Sequence, residues 1–270
     1  MVRGVFSQVD AFTDQPYRGN PAAVFLLPGP ALAPWMQAVA AEMNLSETAF
    51  TWTQAGRRSL RWFTPAVEVP LCGHATLAAS HVLWEEGLAG PDETLLFSTR
   101  SGLLKARRQG AWIELDFPAL RRRKASAPPG LGRALGAEPR YVARAPGTVL
   151  VEVGSEKVLR SLKPDFKTLA RMHRGAFIVT AASSSPDFDF VSRCFAPGEG
   201  IDEDPVTGSA HCCLGPFWAE RLGRGELKAF QASARGGVVR VRTAGGRVLL
   251  YGKAVTVFKG RLTPRALSQG

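Results

Sequence analysis

The chain has 270 residues, of which 45% are hydrophobic, so it can bury a substantial core as one large domain or two of ordinary size. Lys and Arg outnumber Asp and Glu by 34 to 23, which gives a formal charge of +11. The first residues lack the apolar core of a secretory signal, and no window of about 18 residues is uninterruptedly apolar. We therefore expect a cytoplasmic protein without a membrane partner.

Short runs of β-branched or alternating residues predict that strands dominate the fold. In chain order, the predicted strands are 4–12, 22–27, 48–52, 59–63, 93–99, 112–117, 148–153, 175–182, 189–195, 238–243, 247–252 and 254–260. Helices are predicted over 34–43, 74–86, 163–170 and 209–221. Strands that do not alternate regularly with helices favour an α+β fold over a doubly wound sheet.

The chain has one dense basic run, LRRRKASAPPG, from Leu120 to Gly130. It leads directly into Pro and Gly, which is typical of a solvated connector between halves. The other arginines are scattered, and no zinc-finger or ribonucleoprotein motif accompanies them. We therefore expect no nucleic-acid partner.

Two segments about half a chain apart share one plan. RWFTPAVEVPLCGHATLAASHVLWEEGL begins at Arg61, and RCFAPGEGIDEDPVTGSAHCCLGPFWAERLG begins at Arg193, 132 residues later. Each starts Arg-x-Phe-x-Pro, crosses an acidic, turn-rich loop, reaches a Gly and enters a helix of small residues. We predict two similar halves: residues 1–118, completed by a returning strand at about 254–270, and residues 119–253.

Gly73 and Gly208, the glycines of this repeat, each open a predicted helix. The first N–H groups of a helix have no partner within it and lie at the positive end of its dipole, so each helix start can bind an anion. If the two halves face each other, both starts meet in one cleft and can hold a carboxylate without a metal. The alternative, that each glycine only shapes a turn, stays open at this point.

Three polar side chains near these glycines, and a fourth elsewhere in the sequence, are candidates for proton transfer. His74 and Ser209 directly follow the glycines, and Asp204 lies five residues before Ser209. Each also has a structural explanation, since Asp-Pro opens turns and Ser caps helices. Glu47 begins a predicted strand among apolar residues, which suits a general acid or base; an exposed strand-end acid is the alternative.

The four cysteines, at positions 72, 194, 212 and 213, do not have the spacing of a secreted disulfide framework, so we expect thiols. His211, Cys212 and Cys213 are consecutive, and on a helix they point about 100° apart, too far to bind one zinc ion. Cys72 lies at a helix start, so a thiol-dependent racemase stays an alternative. The chain lacks nucleotide-binding motifs, and we expect neither a cofactor nor a metal.

Long motifs resemble those of the PhzF-like (phenazine biosynthesis) isomerase family: DAFTDQPYRGNPAAVFLL, MNLSETAF, RWFTPAVEVPLCGHATLA, EDPVTGSAHC and GKAVTVFKGRL. They extend over nearly the whole chain, and the match is weakest between Ala106 and Phe177. The resemblance implies the diaminopimelate epimerase-like fold, an α+β architecture of two similar halves. Each half is then a barrel-like mixed β-sheet wrapped round a central helix.

The resemblance also implies an activity. In the family, the Glu of the SET motif moves a proton between two carbons of an unsaturated carboxylic acid without cofactor or metal, and this role falls on Glu47. His74, Asp204 and Ser209 would bind substrate or relay protons. The amides of the two glycines, Gly73 and Gly208, would bind the substrate carboxylate.

Related racemases have a catalytic Cys at each helix start, where this chain has Gly73 and Asp204, so the resemblance disfavours a two-cysteine racemase. Cys72 nevertheless lies only one residue from the expected place. We expect a cofactor-independent isomerase of a small unsaturated or amino carboxylic acid, with an anionic substrate and a homodimeric assembly. The alternative from another class is a non-catalytic binding or scaffold protein of the same fold.

Overall fold

The computed structural model describes residues 4–267. The chain forms two compact units. Unit 1 consists of the residues up to Asp116 together with those from Tyr251 onward, and unit 2 is Phe117–Leu250. Within residues 4–267, no helix is both long enough and apolar enough to span a membrane.

The described residues form eighteen strands and seven α-helices. The strands are β1 (Val5–Ala11), β2 (Asn20–Leu26), β3 (Glu47–Gln54), β4 (Arg57–Phe63), β5 (Glu68–Val69), β6 (Leu95–Thr99), β7 (Gly102–Gln109), β8 (Trp112–Pro118), β9 (Arg123–Lys124), β10 (Tyr141–Ala145), β11 (Thr148–Glu152), β12 (Ala176–Ala182), β13 (Phe190–Ala196), β14 (Ile201–Asp204), β15 (Glu226–Gln231), β16 (Gly237–Ala244), β17 (Arg247–Gly252) and β18 (Ala254–Arg261). The helices are α1 (Ala33–Met43), α2 (Gly73–Glu85), α3 (Leu131–Leu135), α4 (Glu156–Ser161), α5 (Phe166–Met172), α6 (Gly208–Leu222) and α7 (Pro264–Leu267).

Unit 1 is a mixed sheet around helix α2. Its strands pair in the order β18-β1-β2-β3-β4-β6-β7-β8; the pairs β2–β3 and β4–β6 are parallel and the others antiparallel. The short β5 pairs antiparallel with β4. Ten of the 13 residues of α2 are buried, and the helix packs against β1, β2, β3 and β18. A helix buried on nearly every side must be enclosed by other elements, here by the sheet.

Unit 2 repeats this topology strand for strand. Strand β10 pairs antiparallel with β11, β11 parallel with β12, β12 antiparallel with β13, β13 parallel with β15, and β15 antiparallel with β16. The short β14 pairs with β13, as β5 does with β4. Helix α6 takes the place of α2 and buries nine residues. The predicted duplication and the predicted fold class are thus confirmed.

Helices outside the central ones cover the other face of each sheet. In unit 1, α1 packs through Trp35 and Met36 on Phe25, Phe50 and Phe63 of the sheet. Phe25 and Phe50 stack with ring centroids 5.2 Å apart, and Phe63 meets Phe50 edge-on at 5.6 Å. In unit 2, α3, α4 and α5 form the corresponding layer over β11, β12 and β13. Each sheet therefore has a core on both faces, which is why its strands are so apolar.

Two sequence predictions need correction. The helix predicted over 163–170 is displaced, because Asp165 caps the helix that follows it: its carboxylate accepts from the Thr168 amide at 3.1 Å, and α5 begins at Phe166. The basic run at 120–130 is more than a solvated connector. Its residues Arg123–Lys124 form β9, which pairs with β10, and the Arg122 guanidinium forms an ion pair with Glu220.

Candidate active site

Glu47 is the first residue of β3, and the preceding turn places it. Helix α1 ends at Met43, and Asn44 adopts a left-handed conformation with φ 48° that reverses the chain. Asn tolerates this conformation better than most residues. Three residues later the chain enters β3 beside β2, with Glu47 opposite Ala22. The Glu47 side chain is only 14% exposed.

His74 lies in the first turn of α2 and contacts Glu47. Its Nε2 is 3.2 Å from Glu47 Oε2, and its side chain is 5% exposed. Its Nδ1 is 3.2 Å from Asn20 Nδ2 and 3.5 Å from the sulfur of Cys72, the N-cap residue of α2. Unit 1 thus brings together two predicted site residues, Glu47 and His74, and adds Asn20 and Cys72.

Asn20 reaches this position because of the glycine before it. Gly19 has φ 64°, and a Cβ at that position would lie 2.1 Å from the Ala11 carbonyl oxygen. Only glycine can make so close an approach. Asn20 is then fully buried at the start of β2, 54 residues from His74 in sequence.

The contacts of His74 define its protonation state. The Asn20 amide nitrogen can only donate, so His74 Nδ1 accepts, and the proton of the neutral ring is on Nε2, facing Glu47. Burial lowers the pKa of His74 to about 3. An ionised Glu47 would raise the pKa of His74. Burial would still deprive the charged imidazolium of hydration, which keeps the pKa low. At neutral pH the imidazole is therefore neutral.

We expect His74 to stay neutral, with its proton on Nε2, between about pH 5 and pH 8. Its folded pKa lies below the ordinary value of 6.5, so burying the ring favours folding above pH 6.5 and less so as the pH falls toward 3. Long-range ¹H–¹⁵N spectra of the imidazoles report the tautomer, and the His74→Gln variant assigns the signal. A His74 signal that titrates near pH 6.5 would contradict this assignment.

The ligand atoms of Glu47, Cys72 and His74 lie within 4.8 Å of one another, as in many metal sites. His74, however, presents different nitrogens to the other two residues: Nδ1 to Cys72 and Nε2 to Glu47. A histidine coordinates one ion through one nitrogen, so a metal would have to break one of these contacts. The arrangement fits an acid beside an imidazole better than a single-ion site.

The predicted residues of unit 2 lie at the start of α6. Asp204 ends β14, and its Oδ2 accepts a hydrogen bond from the Thr207 hydroxyl at 2.5 Å. The Gln231 side chain, fully buried on β15, fixes this loop. Its oxygen accepts from the Thr207 amide at 2.9 Å, and its nitrogen donates to the Asp204 carbonyl at 2.8 Å.

Gly208 and Ser209 open α6. Thr207 is the N-cap residue, so the alternative that Ser209 caps the helix is wrong; Ser209 is the second helical residue and is exposed. His211 donates from Nδ1 to the Thr207 carbonyl at 2.8 Å, and burial lowers its pKa to about 4. Gly208 is the first helical residue of α6, as Gly73 is of α2, which confirms that both glycines open helices.

The two units differ at the positions that carry chemistry. Thr48 pairs with Phe63 in unit 1 and Phe177 with Phe195 in unit 2, so the strands β3 and β12 correspond. Glu47 therefore corresponds to Ala176, which cannot transfer a proton. At this position of the duplicated fold, unit 1 has an acid/base residue and unit 2 does not.

All four cysteines are buried thiols. Burial raises the pKa of the Cys212 thiol to about 12 and that of Cys213 to about 11, so neither is an anion at neutral pH. Both are buried residues of α6, where a thiol packs as a small apolar side chain.

Sequence reasoning missed three polar residues of these sites: Asn20, Thr207 and Gln231. Asn20 and Thr207 lie inside quoted motifs, GNP and DPVTG, and a buried Asn after a glycine in an apolar strand was a usable signal. Gln231 has no local signal, because only the pairing of β15 with β13 brings it near Asp204.

Comparisons with known proteins agree with this architecture. The model of the phenazine biosynthesis-like protein family (PhzC-PhzF) matches residues 9–260. An uncharacterized isomerase of Halalkalibacterium halodurans is 50% identical over 255 residues, 94% of this chain and 96% of that protein. The structure of a PhzF family phenazine biosynthesis protein from Enterococcus faecalis has a TM-score of 0.92 at 38% identity and covers 97% of this chain and 100% of its own.

A more distant structure shares the fold alone. The hydroxyproline epimerase from Agrobacterium vitis, solved with bound trans-4-hydroxy-L-proline, has a TM-score of 0.59 at 11% identity and covers 97% of this chain and 94% of its own. Two units of one topology, each with a central helix in a mixed sheet, together with these relatives, define an isomerase of the diaminopimelate epimerase-like fold. The chain belongs to the PhzC-PhzF, or phenazine biosynthesis-like, family.

Proposed function

We propose that this isomerase moves a proton between two carbons of a small unsaturated or amino carboxylic acid, with Glu47 as the general acid/base. The observation that carries the proposal is the Glu47–His74 pair: a carboxyl group 14% exposed, 3.2 Å from a buried imidazole. Glu47 takes the proton from a carbon activated by the carboxylate. The electron pair shifts through the unsaturated system, and the protonated Glu47 returns the proton to another carbon, so the reaction needs no oxidant or reductant.

In this proposal, His74 holds Glu47 in place rather than taking the substrate proton. A neutral ring whose Nε2 lies 3.2 Å from the carboxylate stabilises the ionised form of Glu47 without supplying a full charge. Asn20 keeps the ring in this tautomer by donating to Nδ1. A base whose direction is fixed is aligned with the substrate proton more often than a freely rotating one, so its reaction is faster.

Asp204 and Ser209 of unit 2 are proposed to serve the same reaction. Asp204 is held by Thr207 and Gln231, so its position is defined, and Ser209 is exposed at the start of α6. The amides of Gly73 and Gly208, each the first residue of a helix, are proposed to bind the substrate carboxylate. An anionic substrate also suits a chain of formal charge +11.

The test is deuterium incorporation from D₂O, followed by ¹H NMR. The probes are but-3-enoate, cyclohex-2-ene-1-carboxylate and trans-4-hydroxy-L-proline; the first two carry an activated C–H beside a double bond, and the third is the ligand of the epimerase that shares the fold. We expect loss of the signal from an activated C–H in at least one probe, and no loss without protein. No exchange in any probe would count against this substrate class.

Two alternatives predict different results. A thiol racemase would lose exchange after iodoacetamide labels Cys72, whereas Glu-based transfer would survive in Cys72→Ala. A non-catalytic scaffold would show no exchange, and a basic surface for nucleic acid would give a gel shift that weakens steeply with salt. We further propose that the protein is cytoplasmic and forms a homodimer. Light scattering on the purified protein tests the dimer.

A further inference from the structure

The loop before helix α2 is tied to the sheet by a bidentate ion pair. In unit 1, Arg61 of β4 donates from Nε to Glu68 Oε1 at 2.8 Å and from Nη2 to Oε2 at 2.9 Å. The Glu68 side chain is 15% exposed and that of Arg61 26%. The guanidinium also lies over the Phe63 ring, 5.2 Å from its centroid. A bidentate pair on an aromatic face fixes both direction and distance.

A second contact holds the same loop two residues further on. The Ser101 hydroxyl donates to the Pro70 carbonyl at 2.7 Å. Pro70 follows β5 and precedes Cys72, the N-cap residue of α2. Strand β5 is only two residues long, so its ladder alone gives this segment little support. The ion pair and the serine fix the chain immediately before Gly73 and His74.

Unit 2 has the same two contacts at its own helix start. Arg193 donates from Nε and Nη2 to the two oxygens of Glu203, both at 2.8 Å, and lies 4.9 Å from the Phe195 ring centroid. The Ser233 hydroxyl donates to the Pro205 carbonyl at 2.7 Å. Residues 68–73 and 203–208 thus share the pattern Glu-x-Pro-x-x-Gly, with the Arg and the Ser each 132 residues apart.

The contacts repeat although the residues at the helix starts do not. His74 in unit 1 corresponds to Ser209 in unit 2, and Glu47 to Ala176. We propose that the Arg–Glu pairs are positioning residues: Glu68 with Arg61 sets the start of α2, and Glu203 with Arg193 sets the start of α6. This inference rests on the proposed function where it concerns rate, but its structural part stands by itself.

The chemistry of the pair fits this role. The hydrogen bond from Arg61 lowers the pKa of Glu68 against the opposing effect of burial, so the carboxylate stays charged at neutral pH. Glu203 is adjacent to Asp204 on β14, so its side chain points away from that of Asp204 while the backbone is shared. Each pair can therefore fix a reacting group without competing for the substrate.

Strand β4 supplies a matched control. Arg58, on the same strand as Arg61, forms an ion pair with Glu93 at 2.5 Å, but Glu93 precedes β6 and leads to no helix start. Glu93→Gln and Glu68→Gln thus make the same chemical change in a pair anchored to the same strand, and Glu68→Gln also removes an exposed ion pair with Arg100. Neither residue belongs to the proposed catalytic set.

The experiment is amide hydrogen exchange by mass spectrometry on the full chain, with Glu68→Gln compared with Glu93→Gln. In Glu68→Gln we expect exchange over residues 70–75 to rise about 10-fold, because a local opening becomes easier there. Glu93→Gln should leave that segment within about twofold of the wild type. Unchanged exchange over 70–75 in a folded Glu68→Gln protein, or an equal rise in both variants, would overturn the inference.

Unit 2 gives an independent repeat. We expect Glu203→Gln to raise exchange over residues 205–210, whereas Glu152→Gln, which breaks the ion pair with Arg221, should not. With a probe that exchanges, kcat of Glu68→Gln should fall about 10-fold with little change in KM, because alignment and not binding is lost. If the wild type exchanges no probe, the proposed function fails while amide exchange still decides this inference.

Discussion

Replacing Glu47 with Gln should lower the rate of deuterium incorporation into the reacting probe by about 1,000-fold. Gln is nearly isosteric and can keep an amide oxygen beside His74 Nε2, so the local structure should persist. It cannot accept and return a proton at neutral pH. The NMR exchange assay and an unfolding curve, measured on the same preparation, separate loss of chemistry from loss of fold.

The matched control for this prediction is Glu42→Gln. Glu42 lies five residues earlier, exposed on helix α1, and the change removes the same charge. Exchange by Glu42→Gln should stay within about twofold of the wild type. If Glu47→Gln exchanges the probe as fast as Glu42→Gln, Glu47 is not the base, and the proposed mechanism falls.

Glu156→Gln should destabilise the protein by about 3 kcal/mol at pH 7. The Glu156 side chain is 8% exposed and opens helix α4. One oxygen accepts from the amide and hydroxyl of Ser184, at 2.7 and 2.8 Å, and the other from Arg160 at 2.7 Å. Gln replaces one acceptor oxygen by a donor, so either the Ser184 amide or the guanidinium loses its partner.

The same carboxylate gives stability a defined pH dependence. Burial raises the pKa of Glu156, but the hydrogen bonds from Ser184 and Arg160 outweigh it and lower the pKa from 4.5 to about 2. The folded state thus binds its proton more weakly than the unfolded one. This contribution to stability is complete above pH 4.5 and is lost as the pH falls through about 2, so less than half remains at pH 3.

Urea unfolding at pH 7 and pH 3 tests both statements. The difference in unfolding free energy between wild type and Glu156→Gln should shrink by more than half at pH 3. Glu226→Gln, an exposed change on β15, should cost less than about 0.5 kcal/mol at either pH. A Glu156→Gln cost that is small at pH 7, or that does not change with pH, would refute the assignment.

The strand patterns in the sequence predicted those strands whose apolar side chains are buried in the core. All twelve predicted strands correspond to strands of the structure, for instance 175–182 to β12. The strands that the prediction missed include the two-residue β5 and β9 and the charged β7. Such strands bury few side chains, so their sequence carries little periodic signal.

The predicted helix bounds depended on recognising capping residues more than on composition. The start of α1 was visible in Pro34 and its end in Asn44, and both are observed. The helix predicted over 163–170 overlaps α5 but misses α4, since Ser155 and Asp165 each begin a separate helix. Polar residues that cap a helix also occur in loops, so only their hydrogen bonds distinguish the two cases.

The sequence by itself determined the duplication, the α+β class and the family, because these depend on patterns that repeat along the chain. It also pointed to Glu47 and His74 as candidates, but not to their contact. The tertiary structure decided that Asn20 sets the tautomer of His74 and that Gln231 holds Asp204. These contacts join residues 54 and 27 positions apart, across strand pairings that no local pattern specifies.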